Sequence, residues 1–405
     1  MFRALAHRNF RIFWAGAFLS NIGTWMQAVA QGWLVLSLTN SPFWLGVDGF
    51  MATAPGLVFT LAGGVFADLV DRRKLLFATQ IGAGLAALTL AILIATGVVK
   101  VWMVLALSFA TGCCMSLAGP SYQAITIDLA GREDLTNAIA LNSTQFQLAR
   151  AVGPLLAGVG IRLFGLAGCF FVNALSFLAV VIGLSRISII STTKAPAAHS
   201  LRDRRALIQD LADGFRYVAG RPRVFTLLLI CFVTNLFGAP FLTMMPYYAR
   251  EVLHMSETGF ALLMGTSGLG AFFGALTLTF LGDFRRKGMT LIFGVLIFSV
   301  CLIGFALSGQ VRFSIPLIFA MGFSIVFGIA LSNVLLQQLV TDEMRGRVMS
   351  MFILSFIGAM PLGNLLAGSF ATRFGVQRTL AGGGGIIVLF ILVVAFTNPR
   401  LRALE

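Results

Sequence analysis

About twelve long apolar runs fix the solvent of this chain before any other feature does. They lie near 10–37, 43–67, 75–97, 101–125, 138–163, 166–185, 223–247, 258–281, 289–308, 312–336, 347–371 and 379–397. A helix of about 20 apolar residues crosses the hydrocarbon core of a bilayer. In lipid every backbone polar group must be satisfied internally, which favours helices over irregular chain. The runs therefore predict an all-α membrane protein with twelve transmembrane helices. Composition agrees: 58% of the 405 residues are hydrophobic and only 11% are charged, against roughly 25% charged in soluble domains.

The net charge of +14 would suit a nucleic-acid binder if it lay on a soluble surface. It is instead confined to alternate loops. With the amino terminus inside, about 22 Lys and Arg fall on the inner side and about six on the outer side. Basic residues favour cytoplasmic loops. That predicts an inner (plasma) membrane protein with both termini in the cytoplasm, partnered by membrane lipid and not by nucleic acid. The first apolar run is long and lacks a small-residue cleavage site, so it reads as a retained span and not a cleaved signal. Cys113, Cys114, Cys169, Cys231 and Cys301 lie within apolar runs without metal-ligand spacing or a loop partner, and read as packing residues.

The chain also repeats itself. Gly64-Val65-Phe66-Ala67-Asp68-Leu69-Val70-Asp71-Arg72-Arg73-Lys74 sits between two apolar runs, and so does Gly282-Asp283-Phe284-Arg285-Arg286-Lys287. Asp68 and Asp283 are 215 positions apart. Arg8-Asn9-Phe10 precedes the first span and Arg223-Val224-Phe225 the seventh. Gly153-Pro154-Leu155-Leu156-Ala157-Gly158 matches Gly363-Asn364-Leu365-Leu366-Ala367-Gly368, and both continue to Phe-Gly, at Phe164-Gly165 and Phe374-Gly375. Two parallel halves of six spans are the repeat pattern of transporters that rock about a central site. The longest polar stretch divides them, giving an amino-terminal bundle over 1–186, a cytoplasmic linker over 187–222 and a carboxy-terminal bundle over 223–405. Within the linker, Leu207, Leu211, Phe215 and Val218 recur at helical spacing and predict a surface amphipathic helix.

These features resemble the major facilitator superfamily, and the resemblance covers nearly the whole chain. Gly-x-x-x-Asp-x-x-x-Arg-Arg-Lys between spans two and three is that superfamily's loop signature. Asn21-Ile22-Gly23-Thr24-Trp25-Met26-Gln27, Gln31-Gly32-Trp33 and Ser41-Pro42-Phe43-Trp44-Leu45-Gly46 resemble the branch containing enterobactin exporters and macrolide or multidrug efflux proteins. The resemblance implies a cytoplasmic latch of Asp68, Asp71, Arg72 and Arg73 with Asp283, Arg285 and Arg286. Asp68 would meet the start of span 11 near Arg345 and Arg347. Asp283 would meet the start of span 5 near Asn137. Carboxylates suit helix amino termini and neighbouring arginines. Leu69 and Asp71 depart from the family pattern, which has Arg and Gly at those places. Gly153, Pro154 and Gly158 resemble the superfamily's antiporter motif, which bends span 5 in exporters.

Polar residues inside the spans supply the remaining candidates. Asn21, Thr24, Gln27 and Gln31 fall within an arc of roughly 120° on one helix. Spans 1, 4, 7 and 10 line the cavity in the superfamily, so Asn235, Tyr247 and Tyr248 of span 7 and Asn333 of span 10 join the expected substrate surface. Arg150 and Asp48 are ionisable within spans, a costly placement that usually serves an interior role. Arg150 suits an anionic substrate or helix carbonyls, and Asp48 is the candidate proton carrier. No clustered catalytic residues and no phosphate-binding loop occur, so neither an enzyme nor ATP-driven transport is expected, and no cofactor is implied. The reading is a monomeric, proton-coupled exporter of a small amphipathic or anionic molecule such as a drug or siderophore. A nutrient importer, a lysolipid flippase of the same fold, or a non-transporting receptor are the alternatives. Asp68→Asn is expected to insert normally, checked by membrane fractionation, and to lose transport, checked by substrate efflux.

Overall fold

The computed structural model describes the backbone of residues 3–69, 71–131, 133–187, 213–282, 284–402 and 404, and their side chains apart from 60–69 and 400. The described residues form long helices without strands. In chain order they are α1 (Arg8–Thr39), α2 (Pro42–Leu69), α3 (Arg72–Ala95), α4 (Val101–Ala130), α5 (135–164) and α6 (166–186). There follow α7 (Pro222–Glu251), α8 (Glu257–Leu281), α9 (Lys287–Ser308), α10 (Val311–Leu339), α11 (Asp342–Phe374) and α12 (Val376–Thr397). Nine described stretches are long and apolar enough to cross a membrane, with α5 and α6 counted together. The twelve-helix expectation is met.

The repeated Phe-Gly pairs now have a physical reason. Gly165 joins α5 to α6 at φ 69° and Gly375 joins α11 to α12 at φ 83°. A side chain at either position would be strained in that left-handed region. Each turn therefore packs two spans tightly without an extended loop. The first half keeps α1 continuous, whereas α7 is broken between Phe237 and Pro240. Pro240 has no N–H to donate to the Leu236 carbonyl, so the helical ladder fails there.

The helices assemble as two compact units. One comprises Met1–Asn40, Met51–Ser200 and Met255–Gly265; the other comprises Ser41–Phe50, Leu201–His254 and Thr266–Glu405. The start of α8 thus belongs with the first half and the start of α2 with the second. Within the first unit, a Cβ on Gly153 of α5 would lie 2.6 Å from the Trp25 Cβ and 2.8 Å from the Ile22 carbonyl oxygen of α1. One turn and a half further along α5, Gly158 faces the Ala261 methyl, at 3.2 Å from a Cβ placed on the glycine. Within the second unit, Gly363 of α11 lies against the Leu236 carbonyl of α7. Gly368 approaches Gly46 of α2 so closely that a Cβ on it would sit 2.9 Å from the Gly46 Cα. The two units therefore use equivalent glycines for equivalent helix crossings. Small residues let membrane helices approach to full van der Waals contact.

This packing fixes an expected rank of damage. Gly46→Leu and Gly153→Leu must displace backbone and are expected to cost about 1–3 kcal/mol each. Gly119→Ala, where an added Cβ meets nothing within 4 Å, is expected to leave stability unchanged or slightly raised. Thermal unfolding in detergent measures all three.

Candidate transport site

In the first unit the α1 stripe divides into two kinds of residue. Asn21 and Thr24 stay half-buried, and the Thr24 hydroxyl donates to the Ser20 carbonyl of its own helix at 2.9 Å. Gln27 is only 7% exposed, and its side-chain oxygen accepts from Asn173 of α6 at 2.6 Å. Asn173 in turn accepts from the Ser176 hydroxyl at 2.9 Å. Gln31 donates to Ser108 of α4 at 2.8 Å. Half of the stripe is therefore engaged in holding α1 against α4 and α6.

Arg150 of α5 is half-buried and stacks over Trp25 of α1, its guanidinium carbon 5.5 Å from the ring centroid. Trp25 meets Phe146 edge-on at 6.0 Å. Gly153 makes this possible, because it lets the α1 backbone at Trp25 lie directly on α5. A guanidinium on an aromatic face gains about 0.5–2 kcal/mol, more as water is removed. Its planar donors also keep the geometry to bind a carboxylate or phosphate.

In the second unit the predicted residues separate in the same way. Asn235 is buried and donates to the Cys231 carbonyl at 2.8 Å. Tyr248 is fully buried, with its hydroxyl on the Phe305 carbonyl of α9 at 2.5 Å and its ring 4.3 Å from the Phe305 ring. Tyr247 is half-buried. Asn333, also half-buried, accepts from Gln337 one turn on at 2.6 Å. Asp48 is buried at the start of α2, next to Gly49. A Cβ on Gly49 would come within 2.7 Å of the Asn364 amide nitrogen, and Thr243 of α7 donates to the Asn364 oxygen at 2.9 Å. Gly49, the residue after Asp48, thus lies at a polar crossing of α2, α7 and α11. Asn364 was legible in the sequence only as the place where the second repeat puts Asn in the position of Pro154.

The family of transmembrane secretion effectors matches the chain over residues 1–405. This chain belongs to that family, within the major facilitator superfamily. It is 26% identical to the staphyloferrin A transporter of Staphylococcus aureus (strain NCTC 8325 / PS 47), over 97% of each chain. It is 24% identical to macrolide efflux protein A of Streptococcus pyogenes, over 98% of this chain and 97% of that one. Among solved structures, a point mutant of the nucleoside transporter NupG superposes with a TM-score of 0.75 at 13% identity, over 97% of this chain and 99% of that one. That likeness shows the fold. The protein is accordingly a secondary transporter embedded in membrane lipid that carries a small molecule, and the family is one of transporters, not enzymes.

The charged ends of this transporter are built unequally. The Asp68 side chain and Asp283 lie outside the described residues, as do Leu207 and Leu211 of the expected linker helix. Residues 213–219 are helical, with Val218 buried and Phe215 exposed. Asp71 caps α3, accepting from the backbone N–H of Arg73 at 2.9 Å and of Lys74 at 3.1 Å. Three cations in a first turn oppose the helix dipole, and this cap offsets them. Arg73 reaches away to the carbonyls at the end of α6, donating to Leu184 at 2.6 Å. Arg72 is half-buried and Arg285 exposed. Arg286 adopts φ 64° before α9, with no side-chain cap. Arg345 pairs with Asp342 at 2.6 Å, and Arg347 with Asp213 at 3.9 Å.

A further parallel between the halves emerges at the helices named as latch receivers. The turn before α1 sits on the start of α5: the Ala4 N–H donates to Asn137 at 3.0 Å, and His7 meets Asp134 at 2.9 Å. The helical turn before α7 sits on the start of α11: the Thr341 N–H donates to the Tyr217 hydroxyl at 3.4 Å. The repeated Arg8/Arg223 segments carried this signal in the sequence, although only as flanks of a span.

The Gln27–Asn173 bond separates structural from transport roles. Asn173→Ala leaves the Gln27 amide buried and unpartnered, and is expected to lower stability in detergent by about 1–2 kcal/mol. Gln27→Leu combined with Asn173→Leu should recover part of that loss, as a thermal melting cycle would show.

Proposed function

We propose that the protein exports a small amphipathic or anionic molecule, in the class of drugs and siderophores, by alternating access in exchange for protons. The full-length likeness to proteins named for macrolide efflux and for a siderophore supports the substrate class. Arg150 on Trp25 carries the anionic part of the reading: a half-buried guanidinium on an aromatic platform is chemistry for a flat or carboxylated ligand. The half-buried Asn21, Thr24, Tyr247 and Asn333 complete the substrate surface. Asp48, a buried carboxylate within α2, is the proton carrier. Asp68 and Asp283, with Asp71, Arg72, Arg73, Arg285, Arg286, Arg345 and Arg347, guard the cytoplasmic side.

In this scheme two six-helix bundles, 1–186 and 223–405, rock about the site as a monomer in the inner membrane. Residues 187–222 and both termini face the cytoplasm. The excess of basic residues in alternate loops supports that orientation. Gly153, Pro154 and Gly158 keep α5 tight on its neighbours, as exchange without leak requires.

Inverted membrane vesicles with an acidified interior test the proposal against a panel of cationic dyes, macrolides and catecholate or carboxylate siderophores. Accumulation of at least one substrate, with matching loss of the pH gradient, is the expected result. Asp48→Asn should abolish the coupled proton movement, and Arg150→Ala should weaken anionic substrates by about tenfold, corresponding to about 1.4 kcal/mol. Absence of substrate-dependent proton flux across the panel would turn the reading towards an importer or a lipid flippase.

A further inference from the structure

The glycine run of α12, Gly382–Gly385, takes no part in the transport site, and its four members differ. A Cβ on Gly383 would meet the Phe237 carbonyl oxygen of α7 at 2.7 Å, and one on Gly384 would meet Ile303 of α9 at 2.7 Å. Those two serve close helix packing. At Gly382 and Gly385 an added Cβ meets nothing within 4 Å. Gly382 instead lines a cavity of about 330 Å³ between α7, α11 and α12, beside the α7 break at Pro240. Phe370 and Phe374 wall it and are also exposed on the surface of α11. Arg378, in the first turn of α12, stands at the same groove and is exposed.

The equivalent positions of the first half carry different residues. Aligned on the Phe-Gly turns, Gly382 and Gly383 correspond to Val172 and Asn173 of α6, and Arg378 corresponds to Gly168. Asn173 spends its amide on Gln27. Gly382 and Arg378, which line the groove, are thus departures from the repeat.

We propose that this groove is a binding site for an anionic phospholipid, with one acyl chain lying along Gly382 and the phosphate at Arg378. The cavity is almost wholly apolar, as an acyl chain requires, and its volume falls within the range of small-ligand sites. From Arg378 to Ile386 α12 advances about 12 Å at about 1.5 Å per residue, so the cation sits at the helix end while the groove runs towards the hydrocarbon. A headgroup at the interface and a chain below it match that direction. Arginine near a membrane surface selects anionic over zwitterionic lipids through charge, and its planar donors suit a phosphate.

Native mass spectrometry of the full-length protein in mild detergent tests this, with titrations of dioleoyl phosphatidylglycerol and dioleoyl phosphatidylcholine. The wild type should retain phosphatidylglycerol about fivefold more strongly. Gly382→Leu fills the groove from a helical position with open space around it, and should lose the tightest adduct of both lipids. Arg378→Gln, at an exposed position, should keep the phosphatidylcholine adduct and lose the preference. Equal retention of the two lipids by the wild type overturns the proposal. So does undiminished retention by Gly382→Leu, or a protein dimer that Gly382→Leu dissociates.

Discussion

Helices in lipid gain almost nothing by burying apolar surface against one another, because acyl chains are as apolar as leucine. Close approach and interhelical hydrogen bonds must hold such a protein together. Gly153 against the backbone of α1, and Gly46 against Gly368, are two of the places where this requirement is met. Around each lies a polar device that depends on the approach. Trp25 carries Arg150 where α1 lies on Gly153, and Asn364 reaches Thr243 where α2 and α11 cross. The candidate chemistry is thus positioned by glycines more than by the polar residues themselves.

The same constraint explains why polar residues on one sequence stripe end with different tasks. A buried amide in lipid is costly unless it is bonded. Gln27 and Gln31 meet partners on α6 and α4, and their amides become part of the scaffold. Asn21 and Thr24 stay partly open on the same helix. Tyr247 and Tyr248 diverge likewise, since adjacent helical residues point about 100° apart and Tyr248 faces α9.

The duplication is kept in the joints and relaxed in the surfaces. Equivalent glycines make equivalent crossings, and equivalent turns dock before α1 and α7 on the starts of α5 and α11. The charged knots have drifted. Asp71 caps α3 in the first, whereas the second begins α9 from a left-handed Arg286. Close helix contacts tolerate few substitutions, while exposed helix ends tolerate many, so divergence collects at the ends.

Much of this protein was legible in its sequence. Run length and the cost of unsatisfied backbone in lipid dictate twelve helices, and the paired Phe-Gly turns and repeated glycines disclose two equivalent halves. These features are local or periodic, so one chain suffices to read them. Which polar residues would be spent on neighbouring helices was not legible. The Gln27–Asn173 bond joins positions 146 apart, and the exchange of Ser41–Phe50 and Met255–Gly265 between the compact units joins segments from opposite halves. Only tertiary structure decides such pairings, because in lipid a polar side chain takes its role from whichever helix lies close enough to bond it.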